Sequence, residues 1–331
     1  MDDINLQLLD QLLSTFGPSG NEERIGQFIE KEIETYVDEV RKDALGNLIA
    51  LKRGKDKKIM LAAHMDEIGL IITHIHKDGF LRFAKIGGVD VKIAVGQKVE
   101  FKDGTIGVIS SEPIEDIKDL KIDRLFIDIG AKDREEALNK VSIGDVASFY
   151  GPLYIQNKRG ISKAMDDRIG CYVLIEVLKN LKNNINDIYF VFTVQEEIGI
   201  RGAKTSAYGI HPDIGIAIDV TLTGDTPESK PMEVSLGKGP AIKIMDQSTI
   251  CHPKVRKLLI STAKEHNIPY QIEVLDKGGT DAGAIHLTKS GVPSGVVSIP
   301  TRYIHTPGEM IDLQDVKSAI ELITKLIEKG I

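Results

Sequence analysis

Ile188-Tyr189-Phe190-Val191-Phe192-Thr193-Val194-Gln195-Glu196-Glu197-Ile198-Gly199 joins an apolar, β-branched and aromatic run directly to two adjacent carboxylates. A continuous apolar run without alternation is the pattern of a strand buried on both faces, as in a sheet sandwiched between helices. Active groups of such sheets sit just beyond the C-terminal ends of their strands. Like charges side by side raise each other's pKa, so two glutamates are tolerated there where solvent, a cation or a shared proton relieves them. A solvated strand-to-helix turn would explain the same pair. Because side chains alternate along a strand, both carboxylates can face one site only if the backbone leaves strand geometry before Gly199.

Outward from this stretch, strand and helix patterns alternate. Residues 58–63 read as a central strand that exits through His64-Met65-Asp66-Glu67-Ile68-Gly69, and 214–218 as another that ends in Asp219. Helices are predicted over 167–180, 201–208, 253–265, 281–288 and 313–328, and strands over 241–245, 271–275 and 294–298. Nearer the start, Leu6, Leu9, Leu12 and Leu13 mark an amphipathic helix that Gly17-Pro18-Ser19-Gly20 stops. A second helix follows with Ser19 or Asn21 as its N-cap, then strands over 37–41 and 47–51. Such alternation specifies an α/β fold, a mostly parallel sheet with helices on both faces. Between 70 and 162 the texture changes to short strands at 80–84, 98–101, 105–110, 125–129 and 146–149, separated by Gly and Asp turns, with one helix near 134–139. That spacing predicts a small β-barrel or sandwich. The expected organisation is a discontinuous α/β domain, 1–69 and 163–331, interrupted by a β-rich insert, 70–162.

Composition narrows the function classes. A chain of 331 residues with net charge −7, whose lysines and arginines are interspersed with acids, does not present the basic stripe of a nucleic-acid binder. No apolar run approaches the roughly 20 residues that span a bilayer, and Met1-Asp2-Asp3-Ile4-Asn5 lacks the features of a signal peptide. A cytoplasmic protein is expected. The two cysteines, Cys171 and Cys251, form no Cys-x-x-Cys pair, which argues against thiolate zinc fingers and disulfide scaffolds.

The strand tips and helix starts of the α/β part repeat one chemical type. His64 and Asp66 follow one strand, Asp166 and Asp167 open a helix, Glu196 and Glu197 follow the next strand, Asp219 ends another, and His305 lies in a proline-bounded loop. Imidazoles plus carboxylates, without thiolates, suit zinc or a similar divalent ion, and several acids for two histidines suggest more than one. Each has a plainer reading: His64 as a satisfied half-buried histidine, Asp166 or Asp167 as a helix N-cap, Asp219 as turn chemistry, His305 as a loop residue. Their conjunction at one end of an open sheet favours a site. Gly87-Gly88 belongs to no Walker or Gly-x-Gly-x-x-Gly pattern, so it offers no phosphate loop.

The segments HMDEIG, AMDDRIG, VQEEIG, AIDV, GGTDAGAIH and RYIHTPGE, spread over essentially the whole chain, resemble the tetrahedral (TET) type of cytosolic dinuclear metallo-aminopeptidases. Members of that family also carry the names glutamyl or deblocking aminopeptidase and endoglucanase. The resemblance implies a zinc-exopeptidase-like fold in which Asp166 bridges two divalent ions, Zn²⁺ first and Co²⁺ second, about 3.5–4 Å apart. His64 and Asp219 would complete one ion's protein ligands, and Glu197 and His305 the other's. Asp66 would orient the His64 imidazole. Glu196 would act as general base on a water held between the ions. Gly279, Thr280 and Asp281 would line the substrate cleft, although a glycine turn with a helix cap explains them equally well. The family pattern further implies short peptide substrates, dimers through the insert and a twelve-subunit tetrahedral particle. A deacylase or carboxypeptidase would use the same ion pair; a non-catalytic assembly or binding protein would keep ligands but have no need of a free Glu196.

Overall fold

The computed structural model describes residues 4–331; the first three residues, on which part of the leader reading rests, lie outside the described residues. Four strands, Asp187–Thr193, Lys58–His64, Ile214–Thr221 and Ser294–Arg302, lie side by side in that order and run parallel. They are buried along nearly their whole length on both faces, as the apolar runs of the first three require; in Ser294–Arg302 the polar Ser294, Ser298 and Thr301 are buried too. Alternate residues feed two separate cores. Ile59, Leu61 and Ala63 pack with the helices Leu6–Ser14, Glu23–Ile33, Met165–Asn180, Pro253–Glu265 and Leu313–Lys329 on one face. Met60 and Ala62 pack with Arg201–Ile210 and the short Ala282–Ile285 on the other.

Parallel order stops at the flanks of this centre. Leu48–Lys52 pairs antiparallel with Asp187–Thr193 and carries Glu39–Lys42 at its outer side. At the opposite flank Glu309–Asp312 and the hairpin Tyr154–Gln156/Arg159–Ser162 add antiparallel strands, while Ala241–Met245 joins Ser294–Arg302 antiparallel and Gln271–Val274 parallel. The eleven-stranded sheet is therefore mixed as a whole, with the parallel strands at its centre. Connections too short for a crossover helix can join only antiparallel neighbours, and both flanks contain such connections.

The β-rich stretch closes into a six-stranded antiparallel barrel, Gly69–Ile75, Leu81–Ile86, Leu125–Asp128, Ile106–Ser111, Lys98–Phe101 and Val146–Phe149 in spatial order, around its own apolar core. Its first strand directly continues the His64–Gly69 exit of the central strand. Within 70–162, the hairpin at 154–162 pairs with the large sheet and not with the barrel. The helix expected over 281–288 starts in place but ends at Ile285, where the chain passes into turns closed by Thr288 N donating to Ile285 O and Gly291 N to Thr288 O; the Asp281 carboxylate accepts from Thr193 Oγ1 at 2.6 Å and does not cap it. Among the described residues no helix is long and apolar enough to cross a membrane.

Candidate metal centre

Every charged group singled out at a strand tip arrives at the same end of the parallel centre. His64 and Thr193 are register partners at the ends of adjacent strands, and Asp219 lies on the next strand over. After Thr193 the backbone abandons strand geometry: Gln195 adopts φ +55°, Gly199 adopts φ +118°, and Gly199 N and Ile200 N both donate to Glu196 O. This tight turn lets Glu196 and Glu197 line one cavity despite being adjacent. His305, also at positive φ, is held by its own N–H donating to Glu309 Oε1 at 2.7 Å, while Glu309 Oε2 accepts from Asp166 N at 3.0 Å.

Asp166 is the hub. Its Oδ1 lies 2.9 Å from His64 Nε2 and its Oδ2 3.2 Å from His305 Nε2. His305 Nε2 also lies 3.1 Å from Glu197 Oε1, but without hydrogen-bond alignment, so that buried oxygen has no hydrogen-bond partner. Candidate donor atoms of His64, Asp166 and Glu197 fall within 4.8 Å of one another, as do those of His64, Asp167 and Asp219. Glu196 belongs to neither group.

Asp66 is wholly buried and grips both halves of the site. Its carboxylate accepts from Glu196 N at 3.0 Å, Glu197 N at 3.2 Å and Ser19 Oγ at 2.6 Å. The His64 Nδ1 contact is shared: 3.1 Å to the main-chain carbonyl of Asp66 and 3.5 Å to its carboxylate. A proton on Nδ1 leaves Nε2 free to coordinate. Burial alone would raise the Asp66 carboxyl, but the bonds from His64, Ser19 and Glu196 N outweigh it and hold the group below its usual value.

The electrostatics are those of a crowded acidic cluster. Burial, reinforced by neighbouring carboxylates, pushes Asp167, Glu196, Asp219 and Glu309 well above the ordinary carboxylate range and Glu197 upward. Asp166 moves the other way, because the bonds from His305 and His64 overcome its burial. Burial likewise opposes charge on His305, yet Asp166 and Glu197 carry it to about 11; Asp166 and Asp66 similarly raise His64. Hard oxygen and imidazole donors in this number, one of them an orphaned buried carboxylate oxygen, fit divalent cations.

Asp167 was grouped with Asp166 in the sequence, and the structure separates their jobs. Its Oδ1 accepts from Gly170 N at 3.0 Å as a helix cap, and its Oδ2 accepts from His64 N at 3.2 Å. The capping reading thus fits Asp167, whereas Asp166 turns into the cluster. The peptide between them is cis. Sequence reasoning missed Glu309, which stands in RYIHTPGE and fixes both Asp166 and His305, and it missed Gly88. A Cβ on Gly88 would stand 2.4 Å from His305 Nδ1, so this barrel residue is a close-packing surface for the imidazole.

A cavity of about 470 Å³ opens over the cluster. His64, Asp166, Glu196, Glu197, Asp219 and His305 line one part; Ile200, Val220, Leu222, Leu275 and Ile304 give it apolar walls. Gly279 reaches this lining together with Lys277 and Gly278. Thr280 and Asp281 are buried and lie outside it.

Residues 46–322 match the family model described as M42 glutamyl aminopeptidase. A protein of Acetivibrio thermocellus is 56% identical over 321 residues, 97% of each chain. The solved aminopeptidase APDkam598 of the archaeon Desulfurococcus kamchatkensis superposes with a TM-score of 0.94 at 43% identity, covering 98% of this chain and 94% of its own. The Pyrococcus horikoshii TET1 peptidase, which can assemble into a tetrahedron or a large octahedral shell, does so at 0.87 and 36%, covering 97% and 98%.

Proposed function

The chain belongs to the M42 aminopeptidase family and is a peptide-bond hydrolase; on that premise we propose that it removes N-terminal residues from short peptides, using Glu196 as general base beside two divalent ions held by His64, Asp166, Glu197, Asp219 and His305. The observation that carries this reading is the division of the glutamate pair. Glu197 lies within a donor group, and His305, outside both groups, still pairs with Asp166 and Glu197; Glu196 lines the same cavity outside both groups and pairs with neither imidazole among the described residues. A purely structural ion site would need Glu197 and not Glu196.

Zn²⁺ or Co²⁺, when bound, would supply carbonyl polarisation and a water that loses its proton near neutral pH. The remaining work falls to the chain. Glu196, anchored through its N–H to Asp66, accepts the proton from water and returns it to the leaving amine. Asp66 fixes the His64 tautomer and the turn that presents Glu196 and Glu197. The acid-rich part of the cavity attracts a peptide's positively charged amino terminus, which favours cleavage from that end. Gly279 would contact the substrate backbone.

Dimerisation through the barrel and a tetrahedral twelve-subunit particle complete the reading. Ile106 and Val108 support it: they alternate outward on the barrel strand Ile106–Ser111 and remain exposed in the single chain. The buried, unpaired Cys171 and Cys251 suit a reducing compartment, the cytoplasm. A panel of free and N-blocked aminoacyl anilides, read with each metal in turn, tests the activity; turnover confined to blocked substrates refutes the aminopeptidase assignment. A native mass measurement tests the assembly.

A further inference from the structure

Gly17-Pro18-Ser19-Gly20 ends the first helix, and nothing in the reaction just described uses it. It lies ahead of the span matched by the family model. Yet it lies alongside the His64–Gly69 exit of the central strand. Pro18 and Glu67 form a parallel bridge, Ser19 N donates to Glu67 O, and Glu67 N donates to Gly17 O. Arg168, fully buried, ties the same segment to the helix that bears Asp166. Its Nε donates to Met65 O at 2.6 Å, its Nη1 to Leu12 O at 2.6 Å and Thr15 O at 3.0 Å, and its Nη2 to Gly17 O at 3.4 Å.

Two buried side chains leave this segment toward the site. Ser19 Oγ donates to Asp66 Oδ2 at 2.6 Å, the oxygen that also accepts from Glu197 N. Glu22 Oε1 accepts from Gln195 N at 3.1 Å and from Gly20 N at 2.8 Å. Gln195 is the residue whose positive φ starts the turn, so Glu22 holds the backbone at the point where the strand direction is lost. Its neighbours Glu196 and Glu197 hang from Asp66, which Ser19 holds from behind. Gln195, Glu196 and Glu197 are thus anchored, one N–H each, to carboxylates that segment 17–22 supplies or braces.

We propose that segment 17–22 is a strap that positions the Glu196–Glu197 turn against the His64 loop, with Ser19 and Glu22 as positioning residues acting through Asp66 and Gln195. The proposal rests on the roles assigned above to Glu196 and Glu197. Neither strap residue reaches the cavity over the cluster, so their effect is on placement and not on substrate contact. A shift of the turn misplaces the base and loosens a ligand, whereas the substrate walls at Val220, Leu222 and Leu275 are unaffected.

The experiment compares Ser19→Ala, Glu22→Ala and Glu22→Gln in the full-length protein, measuring kcat, KM, Zn²⁺ affinity by titration of the metal-stripped protein, and thermal stability. Loss of a residue that orients ligands costs roughly 10- to 100-fold in activity or metal affinity. Ser19→Ala and Glu22→Ala are expected to lower kcat about 10-fold or more with KM nearly unchanged, and Ser19→Ala to weaken Zn²⁺ binding by a similar factor. Glu22→Gln keeps the Oε1 acceptor and is expected to restore most of the kcat lost in Glu22→Ala. The strap is refuted if both alanine variants retain kcat and Zn²⁺ affinity, or if Glu22→Gln falls as far as Glu22→Ala. Zinc titration needs no turnover, so a protein inactive on every aminoacyl substrate sinks the assigned function while the affinities still decide the strap.

Discussion

Glu67→Gln is expected to be the most damaging conservative substitution outside the donor cluster. Glu67 is 2% exposed and meets two buried cations: Lys163 Nζ at 2.5 Å from Oε2 and Arg168 Nη2 at 3.5 Å from Oε1. Ser148 Oγ of the barrel donates to Oε2 at 2.9 Å, and Gly17 N to Oε1 at 3.2 Å. One carboxylate therefore joins the barrel, the strap, the central strand exit and the approach to Asp166. Removing its charge leaves Lys163 buried without its carboxylate partner, while Arg168 keeps its main-chain carbonyl acceptors; breaking such a buried pair costs about 3–5 kcal/mol. For a chain of 331 residues that corresponds to a fall in Tm of about 4–7 °C. Burial already lowers the Lys163 pKa from its usual 10.5, with Glu67 opposing the shift. Without Glu67 the folded-state value falls further, so the deficit is largest at neutral pH and shrinks as pH rises toward 10.5. The chain has no tryptophan, so far-UV circular dichroism or calorimetry is the readout, at fixed protein concentration. Adding Lys163→Met to Glu67→Gln should recover part of the loss. A deficit below about 1 kcal/mol, or strict additivity of the two changes, would show that the ion pair does not hold this junction.

Glu196→Gln should cut kcat by about 10²- to 10⁴-fold while leaving metal content near normal; full activity refutes the base assignment. Chelation should abolish activity and Zn²⁺ or Co²⁺ should restore it, an idea that fails if protein verified metal-free by elemental analysis turns over undiminished. Gly88→Ala, whose Cβ would meet His305 Nδ1 at 2.4 Å, should weaken metal binding roughly 10-fold or more with little change in Tm; unchanged affinity would mean the imidazole does not need that surface. Glu22 is lifted by burial, and then by Asp66, from 4.5 to about 7, so the fold disfavours its charged form. Stability present below pH 4.5 should therefore drain away as pH rises through 7, and Glu22→Gln should become more stable than the native chain by about 2–3 kcal/mol over that window. Parallel Tm–pH curves for the two proteins would contradict this.

The four parallel strands were legible because each buries both faces, which favours apolar-rich runs. Four antiparallel additions, Gly69–Ile75, Tyr154–Gln156, Arg159–Ser162 and Glu309–Asp312, were not. Tyr154, Ile155 and Gln156, for instance, are all exposed, so no burial period marks that strand; its partner's backbone defines it. Helix 281–288 is shorter than its pattern because the chain turns after Ile285, through Thr288 N to Ile285 O and Gly291 N to Thr288 O.

Local chemistry by itself determined which residue types gather at the strand tips, and hence that imidazoles and carboxylates share one end of the sheet. Only the tertiary structure decided their division of labour. Asp166 and Asp167 are chemically identical neighbours, yet one faces two imidazoles and the other caps a helix. Glu196 and Glu197 differ only by a turn that begins at a left-handed Gln195 and hangs from Asp66. Adjacent identical side chains cannot be told apart by composition or period. Their separation depends on backbone directions fixed by hydrogen bonds to residues more than a hundred positions away.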